Sequence, residues 1–436
     1  KVLALFVILP LMALVISGSM LSVMPAWDRA GAIAPDRISV AVLAGRVANV
    51  HPGIAELKRL PSGKVVAFFS GSDGPAASVV NPSSGAPVSD YVRSRFERWI
   101  TNLHRSFLLG DSGRMVAGAV ALAMLVLTLS GLQMTARRMG GWRHVLGRAR
   151  GDGVQRIHTD LGRLAALGLL LSTLTASYLS LTTFGLIPDG ASQAPAFPSV
   201  TSGGPALPIE QIAALRAIDL SQLRELTFPN PANPSDLFHL ITAAGEGYIE
   251  PLKGQILAWQ DHSIARQIYE TIYMLHTGQG LWWLGLLLGV SALGVPVLGL
   301  TGLGMWWSRR RAHAPITDNT SAGQADTVIL VGSEGGSTWG FARTLHAALT
   351  SNGHRVHTAA MDGLLRSYPS ARRMFLLTAT YGDGAAPGTA GTFLKRLDEI
   401  ERPPSFPVAV LGFGDRQFPQ FCKFSRDVAA AQIGRA

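Results

Sequence analysis

The chain has 436 residues, 47% of them hydrophobic and only 15% charged, with a formal net charge of +10. That length implies more than one domain, and the composition is far from that of an average soluble chain. The single cysteine, Cys422, excludes an intrachain disulfide and any cysteine-ligated cluster.

In chain order, the apolar runs are Val2 to Pro25, Met115 to Met134, Leu161 to Pro188 and Leu281 to Trp307. Each is long enough to cross roughly 30 Å of hydrocarbon at about 1.5 Å per residue, so four transmembrane helices are expected. The first run competes with a cleaved signal peptide, but it exceeds a typical h-region and three further spans follow. Position 1 is Lys rather than Met, which reads as a native N-terminus missing from the sequence. Spans are placed at 1–26, 113–136, 158–188 and 276–308, leaving inter-span segments 27–112 and 189–275 of small-domain size.

The positive charge is distributed along this topology. The loop at 137–157, in "ARRMGGWRHVLGRARGDGVQR", carries six arginines, and Arg309 to Arg311 follow the fourth span. Short basic loops face the cytoplasm. Both chain ends are then cytoplasmic and the two long segments lie outside. The basic balance therefore reads as membrane topology rather than nucleic-acid binding.

The inter-span segments hold helix-like and strand-like pieces. "IEQIAALRAI" reads as a short amphipathic helix. "GEGYIEPLKGQILAW" reads as a hairpin turning at "PLKG", and "FPSVTSGGPALP" as a linker. No carboxylate pair, catalytic triad or metal-spaced cluster stands out, so binding or docking modules are expected.

The two halves of this region resemble each other. The first segment ends "VVNPSSGAPVSDYVRSRFERWITNLHRSFLLG" and the second "YIEPLKGQILAWQDHSIARQIYETIYMLHTGQG". In each, a strand-like stretch meets Pro and then Gly (Pro82 and Gly85; Pro251 and Gly254), followed by an Arg-bearing helical stretch and Leu-His. The following spans end alike, in "LSGLQMTARR" and "LTGLGMWWSRR". His104 and His276 thus stand where spans enter from outside, and His158 where the third enters from the cytoplasm. "TASY" begins at Thr175, 17 positions after His158, and a similar "ISGS" begins at Ile16. The repeat places a matching histidine just upstream of Lys1.

Ionisable residues at membrane depth point to function, and two neutral imidazoles on facing helices can hold haem iron from both sides. One haem is expected between His104 and His276, and a second at His158. The competing reading is interfacial histidines whose polar tips meet headgroups. Glycines of the fourth span suit either close helix packing or space for a flat macrocycle. His144 and His313 read as solvated loop residues, and His51, His239 and His262 belong to the outer segments.

On these motifs, residues 1–311 resemble the PepSY-associated transmembrane family. The resemblance implies two periplasmic α+β PepSY-like domains on an α-helical membrane part. Its better understood members are haem-containing ferric-siderophore reductases of the bacterial inner membrane.

After a polar linker (309–326), the tail at 327–436 reads as α/β. Strand Val328 to Val331 runs into a Gly/Ser-rich turn and a helix, the geometry that cradles a phosphate. "RMFLLTATYGDGAAPGTAGTFLKRL" and "FPVAVLGFGDRQFPQFCKFSRDV" are two more strand–loop–helix units. Three loops at the carboxyl ends of a parallel sheet form a ligand site, and a phosphate cradle beside aromatic loops suits a flavin.

These segments resemble the FMN-binding flavodoxin domain of diflavin reductases. The resemblance implies a phosphate loop of Ser333, Glu334, Gly335, Gly336, Ser337 and Thr338. It places Thr380, Tyr381, Gly382, Asp383 and Gly384 beside the ring, and Gly412, Gly414, Asp415, Phe418 and Phe421 in a third loop. Gly335 stands where a hydroxyl residue is usual, Trp339 where glutamate is common, and Phe418 where tyrosine is usual. The domain reads as incomplete, and the FAD- and NADPH-binding module of diflavin reductases is absent from the sequence.

Together these features predict a membrane electron conduit from NADPH and FAD through FMN to one or two haem b groups. The outer acceptor is expected to be foremost a ferric siderophore, since reduction to Fe(II) weakens binding by hard oxygen ligands. No side chain need act as acid or base. Delivery of electrons to a periplasmic protein or quinone is an alternative. A haem-free sensor or peptidase-regulating PepSY module is another.

Overall fold

The computed structural model describes residues 2–33, 37–71, 74–92, 94–149, 153–191, 194–199, 205–312, 316–382, 384–400, 404–414, 416 and 420–433. The chain forms two compact units, one of Lys1–Thr128 with Ala165–Val295 and one of Leu129–Leu164 with Pro296–Ala436.

The helices in chain order are α1 (Val2–Leu21), α2 (Met24–Ala30), α3 (Val40–Val50), α4 (Arg95–Ser106), α5 (Gly110–Met139), α6 (Gly153–Thr183), α7 (Ala213–Arg216), α8 (Ile264–Thr277) and α9 (Trp282–Ala312). Four stretches are long and apolar enough to cross a membrane: Ile8–Ala30, Gly110–Met139, Gly153–Thr183 and Trp282–Ser308. They correspond to the four expected spans.

The boundaries near His104 and His276 differ from expectation. Neither histidine opens a span. Each lies at the C-terminal end of a short preceding helix. α4 begins at a capping box in which the Ser94 hydroxyl and the Glu97 carboxylate each accept a backbone N–H from the other residue. α8 begins with the Ser263 hydroxyl accepting the Arg266 N–H. Both helices end in left-handed backbone, at Phe107 (φ 48°) and Gly278 (φ 72°). That turn re-aims the chain into α5 and α9. Glycine is required at 278 on two counts, because a Cβ there would also meet Gly285 Cα at 2.5 Å.

The inter-span segments were read as two domains, but they share one sheet. Strands β1 (Ile54–Arg59), β2 (Val65–Gly71), β3 (Gly74–Val80) and β4 (Pro87–Asp90) come from the first segment. β5 (Leu223–Thr227), β6 (Phe238–Thr242), β7 (Gly245–Ile249) and β8 (Ile256–Asp261) come from the second. The order is β4-β3-β2-β1-β5-β6-β7-β8, antiparallel throughout. β1 and β5 join the halves, with Leu57 opposite Leu226 and Lys58 opposite Glu225. Lys58 binds Glu225 at 3.1 Å and also Glu56. Burial opposes its charge, but the two carboxylates outweigh this and raise its pKa.

One apolar core serves both halves. Leu43, Val47, Leu57 and Val65 of the first pack with Ile212, Leu215, Leu226, Leu240 and Ile249 of the second. The reason is size. A four-stranded meander with one small helix has little apolar area to bury alone, and pairing doubles it. The repeat is visible in detail. Gly85 (φ 76°) and Gly254 (φ 66°) turn the β3–β4 and β7–β8 hairpins. A Cβ at Gly85 would meet the Arg46 backbone of α3, and one at Gly254 the backbone of Ile212 and Ala213 beside α7. The helix expected at "IEQIAALRAI" is broken by extended Ile212 (ψ 107°), whose fully buried side chain anchors the core.

The tail builds β9 (Thr327–Gly332), α10 (Ser337–Ser351), β10 (Val356–Ala360), β11 (Arg373–Ala379), α11 (Phe393–Asp398), β12 (Val408–Phe413) and α12 (Lys423–Ile433). All strand pairs are parallel, in the order β10-β9-β11-β12. β10 is not evident in the sequence, because "VHTAA" is short and its two polar residues, His357 and Thr358, are adjacent rather than alternating. Buried on both faces, β9 feeds Ile329 and Val331 to the α10 side. Its Val328 and Leu330 pack with Phe393 of α11 and Phe424 and Val428 of α12.

A shared sheet makes a specific prediction. Leu226→Ala removes a fully buried side chain and should cost about 2–5 kcal/mol. Amide hydrogen exchange should then accelerate in β1 and β2 as well as in β5 and β6. Acceleration confined to the second segment would contradict a single cooperative sheet.

Candidate functional site

Three loops leave the carboxyl ends of β9, β11 and β12. In the first, the Ser333 N–H donates to Thr389 Oγ1 at 2.7 Å and the Gly336 N–H to Ser333 Oγ at 3.0 Å. Gly336 (φ 91°) then turns the chain into α10. The N-terminus of this helix, with its backbone N–H groups and dipole, makes an anion site. Thr338 Oγ1 is buried there without a hydrogen-bond partner. A buried hydroxyl lacking a partner is costly, and a phosphate oxygen would complete it. The Glu334 carboxylate accepts the Gly388 N–H at 2.6 Å, holding the loop against the next one. Nothing lies within 4 Å of a Cβ at Gly335, so the missing hydroxyl there reflects no steric exclusion. Trp339 packs onto the Ile329 and Val331 cluster, which gives it a core role.

In the second loop, Tyr381 and Ala385 exchange backbone hydrogen bonds of 2.9 and 2.8 Å. Gly382 (φ 53°) and Gly384 (φ 88°) make the turn. The Thr380 hydroxyl accepts the Phe424 N–H at 3.2 Å and ties the loop to α12. A Cβ at Gly382 would come within 3.1 Å of the Arg137 carbonyl oxygen, so this loop lies against the C-terminal end of α5. In the third loop, a Cβ at Gly412 would strike the Ser425 side chain, and one at Gly414 would crowd Cys422 and Phe421. Phe421 keeps about a third of its surface exposed. Asp383, Asp415 and Phe418 lie outside the described residues, as does His313.

The sequence-predicted histidines fall into one pair and one single site. His104 and His276 come together with ring centres 6.3 Å apart and planes 32° apart. His104 Nδ1 lies 3.1 Å from the Leu14 carbonyl oxygen and 3.1 Å from Ser17 Oγ, both on α1. His276 Nδ1 lies 3.0 Å from Thr175 Oγ1 on α6. Gly18 makes room for the first ring, since a Cβ there would sit 2.8 Å from His104 Cε1. His158 Nδ1 lies 2.8 Å from Thr301 Oγ1 on α9.

The paired geometry fits a metal held from two sides. An imidazole nitrogen sits about 2 Å from a bound transition metal. Each ring centre lies about 1 Å behind its nitrogen, so two such rings have centres roughly 6 Å apart. Among the described residues no group of three or more His, Cys, Asp or Glu could hold a bare ion. Two imidazoles suit instead a metal whose remaining ligands come from a macrocycle, as in haem.

Residues 1–309 match the family described as "PepSY-associated TM region". The chain belongs to that family. Residues 329–431 of this PepSY-associated protein match flavodoxin. Its tail is 32% identical over 111 residues to inducible nitric oxide synthase of Canis lupus familiaris, covering 25% of this chain and 10% of that protein. It is 30% identical over 102 residues to the sulfite reductase [NADPH] flavoprotein alpha-component of Neisseria meningitidis serogroup C / serotype 2a, covering 23% of this chain and 17% of that protein. The chain therefore spans only a small part of these curated relatives. The strand order of the tail is that of flavodoxin-like sheets, whose FMN lies where the order reverses. The matches and the loop geometry support FMN binding by a multi-pass membrane protein.

Sequence reasoning missed Thr389, which anchors the phosphate loop from another segment, and the hydroxyls Ser17, Thr175 and Thr301. Thr389 carries no local signal, because its partner Ser333 is 56 residues away. The other three are ordinary residues of apolar helices until the histidines are placed beside them.

Thr338→Val should weaken FMN binding by roughly 10–100-fold, the equivalent of one hydrogen bond to a charged group. Titration by flavin fluorescence quenching checks it. An unchanged affinity would mean that Thr338 does not face the phosphate.

Proposed function

We propose that this protein is a transmembrane electron-transfer oxidoreductase. It takes electrons from NADPH, through an FAD-containing module and its own FMN, and delivers them across the bacterial inner membrane. The periplasmic acceptor is foremost a ferric siderophore, and both chain termini are cytoplasmic. The carrying observation is the His104–His276 pair, whose ring separation of 6.3 Å suits two axial ligands of one haem b.

Bound flavin and haem would supply the one-electron chemistry. The chain's residues hold and aim these groups. Ser333 to Thr338 would receive the FMN phosphate at the N-terminus of α10, while Tyr381 and Phe421 would flank the ring. His104 and His276 hold the outer iron. His158 would hold an inner one. The contact of Gly382 with Arg137 supports this order, because it brings the flavin loop to the end of a spanning helix. Of the α9 glycines, Gly302 lies beside the His158 ring, whereas Gly285 and Gly289 pack against Ser22. The eight-stranded sheet carried above the paired histidines would present the acceptor.

The optical spectrum of the purified full chain tests the proposal. A b-type haem signal should be present, and His276→Ala should remove the outer haem while flavin content is retained. A chain that carries flavin but no haem would favour a sensor or peptidase-regulating module instead. Ferric-siderophore reduction in sealed vesicles then separates an iron reductase from a donor to a periplasmic protein or quinone.

A further inference from the structure

We propose that Ser17, Thr175 and Thr301 are positioning residues that set the tautomer and aim of His104, His276 and His158. This rests on the haem reading above and deepens it.

Each of the three histidines meets one hydroxyl of a spanning helix through Nδ1, at 3.1, 3.0 and 2.8 Å respectively. A hydroxyl has a single proton to donate. In all three cases the carbonyl four residues back lies in line to take it. Ser17 Oγ is 2.6 Å from the Ala13 oxygen, Thr175 Oγ1 2.7 Å from Leu171, and Thr301 Oγ1 2.8 Å from Val297. With the proton committed to the helix backbone, the hydroxyl offers the imidazole only a lone pair. The hydrogen bond then requires Nδ1 to carry the proton.

A second acceptor reinforces this at His104. The carbonyl three residues before the hydroxyl, that of Leu14, also lies 3.1 Å from His104 Nδ1. A carbonyl accepts and never donates. Both partners therefore select the Nδ1–H tautomer and leave the Nε2 lone pair for a metal. Positions i, i−3 and i−4 lie on one face of a helix, so a single hydroxyl residue brings its own cradle with it.

Hydroxyl bonds to the carbonyl four back are ordinary in helices. Thr128, Thr173 and Ser177 make them with no histidine nearby in their bonding. What is not ordinary is the same back-bonded hydroxyl facing Nδ1 of three histidines contributed by different helices. Gly18 and Gly302, each next to a cradle hydroxyl, keep Cε1 of His104 and His158 close to the helix. By the repeat, Ser130 followed by Gly131 stands in α5 where Thr301 followed by Gly302 stands in α9.

An Nδ1–H donated to such acceptors makes Nε2 more basic and fixes ring rotation. Losing such an outer partner typically weakens metal affinity by about 10–100-fold. Thr175→Val keeps the shape and removes the acceptor, while Thr175→Ser keeps the acceptor. In full-length protein prepared without haem, 15N spectra of labelled histidine should show His276 protonated at Nδ1. Thr175→Val should mix the tautomers and Thr175→Ser should not. In haem-loaded protein, Thr175→Val should raise the potential of the outer haem and speed its loss, with both reverting in Thr175→Ser. Protonation of His276 at Nε2 in the unsubstituted chain overturns the proposal, as does a Thr175→Val protein matching it in tautomer and potential. A chain that binds no haem sinks the haem reading, while the haem-free tautomer measurement still decides the positioning role.

Discussion

An imidazole placed among spanning helices has two ring nitrogens and no water to satisfy them. The cost of leaving either unpaired is the constraint on which the membrane part of this protein depends. Each Nδ1 is met by a hydroxyl that a spanning helix supplies, and that of His104 by helix backbone as well. Under the haem reading, each Nε2 is left to a partner outside the polypeptide. The paired arrangement of His104 and His276, with ring centres 6.3 Å apart, gives that partner a size. The residues around the pair follow from it. Gly18 is small because the His104 ring lies against it. α4 and α8 end in left-handed turns just past the histidines, so the rings enter the bundle from short helices while the spans begin afresh.

The sheet above these helices follows a second constraint, that of minimum core size. Each inter-span segment supplies four strands and one helical piece, and neither buries enough apolar surface by itself. Their union through β1 and β5 puts Leu57 opposite Leu226 and makes one core. The Lys58 bridge to Glu56 and Glu225 lies at this seam. Exposed ion pairs contribute little energy, so the seam is held by the leucines, with the charges fixing register.

Much of the organisation was legible along the chain. Span number and approximate length follow from apolar runs, and the repeat follows from Pro-Gly hairpins and Leu-His. The phosphate loop follows from a strand meeting a Gly/Ser turn and a helix. β10 was not legible, since "VHTAA" alternates too weakly to announce a strand. The break at Ile212 was not legible either, since its helical periodicity yields to a buried anchor. The hydroxyls at Ser17, Thr175 and Thr301 look like any Ser or Thr of an apolar helix, and their partners lie 87, 101 and 143 residues away.

By itself the sequence determined which residues carry chemistry and which local elements hold them. Hydrophobic period, turn residues and loop composition are local, and local physics suffices to read them. Tertiary structure alone decided that two segments make one sheet, that two of the histidines form a pair, and which nitrogen of each ring meets a hydroxyl. Those outcomes depend on contacts between positions far apart in the chain. Such contacts are selected by the shared need to bury apolar surface and to satisfy every polar group within it.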